Sequence, residues 1–249
     1  MNARRYLPAD PDRGVTTLLF VQAVMLFLAI PLSAQHPAWH VVLDAGHLIF
    51  AGVAVAVLTN HRAVQGVLLG ALALLAVGPI IGEGAAAGLG IGPALMHETI
   101  AATAFVFNGL VTALVARHVF FGAGRVTAHR LRGAILIYLN IAALFSIVYG
   151  IIATHAPGAI MTSDGHPLPT AQGARTAAMT YFSLAVITTS SFGDILPVHP
   201  LARSLANLES VFGQLFPATL LAGLVALHLA HRNDEETENE DVAPDDQTP

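Results

Sequence analysis

The sequence contains no cysteine and no lysine, and only 11% of its residues are charged. Without cysteine, disulfides and thiolate metal sites are excluded, and redox compartment leaves no mark on the chain. Ordinary globular chains carry about 25% charged residues, so the scarcity of charge argues that water is not the main solvent here. Also missing are a phosphate-binding loop, a nucleophile motif and a pair of catalytic carboxylates. No enzyme chemistry is therefore expected, and nucleic acid is not among the expected partners.

Hydrophobic residues make up 55% of the 249 residues. The formal charge of −5 is set by one short tail: eight of the sixteen acids lie between Asp234 and Asp246. The remainder is slightly basic, with eleven arginines against eight acids. The tail, residues 233–249, is acidic and lacks aromatics, and is expected to be disordered.

A hydrocarbon core of about 30 Å needs about 20 apolar residues to span it as a helix. Six runs have that character: Val15 to Leu32, Val41 to Thr59, Val64 to Ile81, Ala94 to Ala116, Gly133 to Ala153 and Leu201 to Ala230. The first is read as a helix and not as a signal peptide, since no small-residue cleavage site follows before Trp39 and His40. Between the fifth and sixth runs, Arg175 to Thr188 is too short to cross at about 1.5 Å per residue and reads as a re-entrant half-helix. The expected fold is an all-α membrane protein of six transmembrane helices, with a re-entrant pore helix and loop between helices five and six.

Basic residues are enriched in short cytoplasmic loops. With both termini cytoplasmic, Arg4, Arg5, Arg13, Arg62, Arg117, Arg125, Arg130, Arg132 and Arg232 lie inside, and only Arg175 and Arg203 outside. The organisation expected is a cytoplasmic N-terminus (1–14), a four-helix bundle (15–118), a basic cytoplasmic linker (119–131), a pore domain (132–232) and the acidic tail. A bacterial inner membrane is the expected location.

From Thr180 to Leu215 the chain reads T-Y-F-S-L-A-V-I-T-T-S-S-F-G-D-I-L-P-V-H-P-L-A-R-S-L-A-N-L-E-S-V-F-G-Q-L. This resembles the pore loop and inner helix of the potassium-channel family, especially its small bacterial members. The resemblance implies a selectivity filter at Thr188, Thr189, Ser190, Ser191, Phe192, Gly193 and Asp194, braced by the aromatic pair Tyr181 and Phe182. Gly213 falls where the family places its gating-hinge glycine, and Pro217, one turn later, removes a helix hydrogen bond. A close helix approach at Gly213 is the competing reading. The resemblance also implies a homotetramer around a permeant monovalent cation, potassium above all, with no other cofactor.

Non-helical backbone at membrane depth is tolerated only within protein or along a water-filled cavity, and Thr189 to Asp194 cannot easily be helical before Pro197. A half-helix ending at Thr188 presents roughly half a negative charge at its carboxyl end, which favours a cation. Family filters usually read T-V-G-Y-G-D, whereas this one reads T-S-S-F-G-D. Ser191 replaces a glycine of positive φ, at a cost of roughly 1 to 2 kcal/mol in each subunit, and potassium selectivity is expected to be weakened.

The fourth run contains no arginine before Arg117, so a voltage sensor with several helix charges is not expected. The bundle instead carries Asp44 and His47 at i, i+3, Glu83, the pair His97 and Glu98, and Asn108. These could sense protons or bind a metal ion, though interhelical hydrogen bonding is the favoured account. Glu209, a carboxyl within the sixth run, is a functional candidate that would either pair behind the filter or face the cavity. Two rivals to a channel are a non-conducting sensor subunit and a protein holding haem between His47 and His97.

Overall fold

The computed structural model describes residues 11–36, 39–58, 64–73, 75, 93–121 and 128–242. The chain is mostly helical. Helix α1 (Pro11–Val24) passes through a π-helical turn (Met25–Ala29) into the short α2 (Ile30–Ser33). Pro31 accounts for the π turn. It has no N–H to offer and its ring crowds the carbonyl four residues back, so the helix widens just before it, with the Ile30 N–H reaching the Met25 carbonyl. Then come α3 (Trp39–Leu58), α4 (Val64–Ala73), α5 (Pro93–Phe121) and α6 (Ala128–His155). Strand β1 (Ile160–Thr162), helix α7 (Gln172–Ile187), strand β2 (Ile195–Pro197) and helix α8 (Pro200–Val242) complete the order.

Among the described residues, three stretches are long and apolar enough to cross a membrane: Arg13–Ser33, Glu98–Arg117 and Arg130–His155. Ala45–Ala56 and Val64–Ala73 are shorter apolar helices. Of the third apolar run, residues 74 and 76–81 lie outside the described residues.

Helix α6 is the hub, packing against α1, α5, α7 and α8. One core gathers Leu18, Phe50, Leu68, Phe107, Val111 and Leu136 from α1, α3, α4, α5 and α6. Phe50 meets Phe107 edge-on, with ring centroids 6.3 Å apart. A second core joins α6, β1, α7 and α8 through Tyr149, Ile160, Met179, Phe182, Val186 and Ala202. The hub thus ties the N-terminal helices to the segment that carries the loop.

The stretch between α6 and α7 is stapled to the stretch after the loop. β1 and β2 pair antiparallel, with Ile160 opposite Pro197 and Thr162 opposite Ile195. Pro197, which cannot donate to a ladder, sits at the end of its strand. Beyond the strands, the Ser163 N–H donates to the Asp194 carbonyl at 2.8 Å, and the Val198 N–H to the Ala159 carbonyl at 2.8 Å.

One difference from the sequence expectation concerns the acidic tail. Helix α8 runs to Val242, so residues 233–242, expected to be disordered, are helical, while residues 243–249 lie outside the described ones. An established helix grows by one hydrogen bond per residue without a new nucleation cost, and Glu235, Glu236, Glu238 and Glu240 are good helix formers.

Candidate functional site

Helix α7 has 16 residues and would rise roughly 24 Å, short of a hydrocarbon core of about 30 Å. Its carboxyl end closes with Thr188 as C-cap, whose N–H reaches the Leu184 carbonyl at 3.1 Å. Thr189 follows with φ +57, the left-handed position after a helix that glycine usually fills. Its N–H donates to the Val186 carbonyl at 2.9 Å, and the Ser191 N–H turns back to the Ala185 carbonyl at 3.1 Å. The loop therefore begins by capping the helix that delivers it.

Positive φ recurs at every second residue: Thr189 (+57), Ser191 (+27) and Gly193 (+80). Alternating the hand of successive residues is the backbone pattern needed for neighbouring carbonyls to share one side. Two of the three are not glycine, and each carries a left-handed penalty of about 1 to 2 kcal/mol. All seven residues from Thr188 to Asp194 are exposed in the single chain.

The loop is braced from several directions. Phe192 is 73% exposed but stacks one face on Tyr181 of α7, with ring planes 12° apart and centroids at 6.1 Å. Asp194 Oδ1 accepts from the Ile195 N–H at 3.1 Å. At the base of the loop, the Gln214 amide of α8 donates to the Thr189 hydroxyl at 3.2 Å. A cavity of about 190 Å³ lies behind, lined by Tyr181, Phe182, Ser191, Asp194, Asn207 and Ser210 among others.

The end of α7 is pinned at Ile187. Its carbonyl accepts from the Tyr138 hydroxyl of α6 at 2.7 Å, and a Cβ at Gly213 of α8 would stand 1.9 Å from the same oxygen. Gly213 thus allows the close approach of α7 and α8. Pro217 lies inside α8, and its missing N–H leaves the Gly213 carbonyl without its helical donor. The Thr219 hydroxyl turns back toward the Leu215 and Phe216 carbonyls, at 2.8 and 3.0 Å, which further weakens this stretch as a straight rod.

Glu209 does not face the open cavity. It is fully buried, against the Tyr149 hydroxyl of α6 at 2.7 Å and the Ser183 hydroxyl of α7. Tyr149, Ser183, Tyr138 and Gln214 were not signalled by motif; the only sign in sequence is that each is polar within an apolar run.

Three members of the bundle's polar set have described side-chain contacts. His47 Nδ1 lies 2.8 Å from the Leu43 carbonyl of its own helix, and the Asn108 amide donates to Ala104 at 2.9 Å. The side chains of Asp44 and His97, and all of Glu83, lie outside the described residues. Glu98 pairs with His155, at the far end of α6, at 3.0 Å. Among the described residues no three of His, Asp and Glu come together as a metal site. Comparisons with protein families, with curated proteins and with solved structures find no match.

Proposed function

We propose that the chain is the pore-forming subunit of a homotetrameric, potassium-channel-like cation channel, with potassium selectivity weaker than a glycine-bearing filter gives. The observation that carries this reading is the broken backbone between α7 and α8. A half-length helix stops, three alternate residues take positive φ, and seven successive residues stay exposed in a chain of apolar helices. In a bilayer such backbone is tolerated only where it lines water or is covered by protein.

In this reading six helices cross the membrane, and α7 enters and leaves from the outer side, with both termini cytoplasmic. The carboxyl end of α7 contributes roughly half a negative charge, and Asp194 a full one, toward a permeant cation. Carbonyls of Thr189 to Gly193 then take the place of water around the ion, as in the potassium-channel filter itself. One chain supplies one loop, and closing a ring takes several copies. Four subunits cover the apolar flank that the single chain leaves exposed, where Leu201, Leu208, Phe212 and Leu215 share one stripe of α8.

The test is assembly and flux together. Cross-linking of the purified full chain in detergent is expected to reach a four-subunit limit, and liposomes carrying it are expected to pass potassium. A stable monomer or dimer with full flux overturns the tetrameric ring, and a tetramer without flux overturns the channel in favour of a sensor subunit.

A further inference from the structure

Glu209 lies within the inner-helix segment of α8, among Leu208, Val211 and Phe212, and is fully buried. Among the described residues no basic group pairs with it; its partners are hydroxyls from two other helices. The Tyr149 hydroxyl of α6 donates to Oε2 at 2.7 Å, while Oε1 lies against Ser183 Oγ of α7. Ser183 Oγ is in turn 2.7 Å from the Ala142 carbonyl of α6. Ser183 has one hydroxyl hydrogen for two acceptors. All three contacts are made together only when the carboxyl carries a proton and donates it to Ser183 Oγ. A second hydroxyl contact, Ser146 with Thr180 at 3.1 Å, lies across the same pair of helices, and Tyr149 rests edge-on against Phe182 at 4.9 Å.

Stability alone does not account for an acid here. A buried polar cluster in place of well-packed apolar residues of similar volume brings little or no net stability. What hydrogen bonds add is register: apolar side chains tolerate sliding, whereas contacts near 2.7 Å with defined angles do not. Ser183 is five residues before Thr188, so fixing Ser183 fixes the height at which the loop begins. We propose that Glu209, in its uncharged form, is a positioning residue that sets the depth of α7 through Ser183 and thereby the ion discrimination of the loop Thr188 to Asp194. This rests on the channel reading above.

The experiment compares full-length wild type, Glu209→Gln, Glu209→Leu and Ser183→Ala by reversal potentials in reconstituted bilayers and by infrared spectroscopy. In Glu209→Gln the amide oxygen accepts from Tyr149 and the amide N–H donates to Ser183, so the potassium-to-sodium permeability ratio is expected to stay at the wild-type value. Glu209→Leu keeps apolar bulk but loses both contacts, and Ser183→Ala loses one; each is expected to change the ratio by about threefold or more, the scale of a lost hydrogen bond. A carboxylic-acid C=O stretch is expected in wild type, absent from Glu209→Gln and displaced in Ser183→Ala.

If Glu209→Leu does not assemble, Ser183→Ala and the infrared band still decide the question. A conducting wild type that lacks the band overturns this proposal alone. So does a Glu209→Gln that loses discrimination, or a Ser183→Ala that keeps it. A wild type that passes no ions overturns the channel reading, and the assigned role in discrimination with it.

Discussion

Gly213 lies so close to Ile187 that a β-carbon on the glycine would stand 1.9 Å from the Ile187 carbonyl oxygen. The same oxygen accepts from Tyr138 at 2.7 Å, and Pro217 leaves the Gly213 carbonyl without its helical donor. A close contact between α7 and α8 and a weakened turn of α8 therefore coincide. A hinge placed there would transmit bending of α8 directly to the end of α7.

Gly213→Ala is expected to push α7 and α8 apart, because the obstructing atom is backbone and cannot rotate away. Overpacking of this kind costs about 1 to 3 kcal/mol. The midpoint of thermal unfolding in detergent should fall accordingly, and flux with it. An alanine variant as stable and as active as wild type would show that the two helices have room to spare.

Ser191→Gly is expected to act in the opposite direction. Ser191 has φ +27, where a side chain is strained and glycine is not. In the proposed tetramer, relief of about 1 to 2 kcal/mol in each subunit is expected to let the carbonyls settle into a tighter ring. A tenfold change in permeability corresponds to about 1.4 kcal/mol, so the potassium-to-sodium ratio from reversal potentials should rise several-fold. A strongly selective wild type that Ser191→Gly leaves unchanged would mean that serine fits the ring without cost.

Gln214→Leu removes the donor that meets the Thr189 hydroxyl at 3.2 Å. In the proposed pore this contact occupies one lone pair of an oxygen at the inner end of the ion path. Its loss is expected to alter single-channel conductance while leaving unfolding temperature nearly unchanged, since both groups are exposed in the subunit. Equal conductance in the two proteins would remove Gln214 from the ion path.

Outside the membrane segments, the Thr162 hydroxyl holds the Asp164 carboxyl below its ordinary range, with help from the His166 N–H. A carboxyl with a depressed folded value stabilises its turn at neutral pH, and that contribution is lost as pH falls through the folded value. Thr162→Val should raise the pH at which Asp164 titrates, read by NMR of a labelled carboxyl. An unmoved titration would assign the depression to another group.

Much of the architecture could be read from the residues, because bilayer-length apolar runs announce themselves: the run Val15 to Leu32 lies within Pro11–Ser33, and Gly133 to Ala153 within α6. A short helix before the loop was also legible, since Pro197 and the T-T-S-S-F-G-D motif bound it: Arg175 to Thr188 was expected, and α7 spans Gln172–Ile187. Positive φ at Thr189 was not legible, because threonine has no left-handed preference; the residue follows the C-cap Thr188 of α7, which ends at Ile187. The β1–β2 ribbon escaped notice as well; three-residue strands are too short to show alternation. Glu209 could be flagged as a buried acid but not assigned partners, for Tyr149 and Ser183 are 60 and 26 residues away and carry no motif. Glu98 makes an interhelical contact, the favoured account for this polar set, but its partner His155 is 57 residues on and could not be named from sequence.

The most direct test of the account is the reversal potential of the wild-type full-length protein in planar bilayers, measured first under a potassium chloride gradient and then with potassium opposed to sodium. A cation-conducting pore with a strained filter is expected to reverse near the cation equilibrium potential in the first case. In the second it should reverse on the potassium side of zero, but well short of the ideal potassium value. Absence of current, or reversal at the chloride potential, would contradict it.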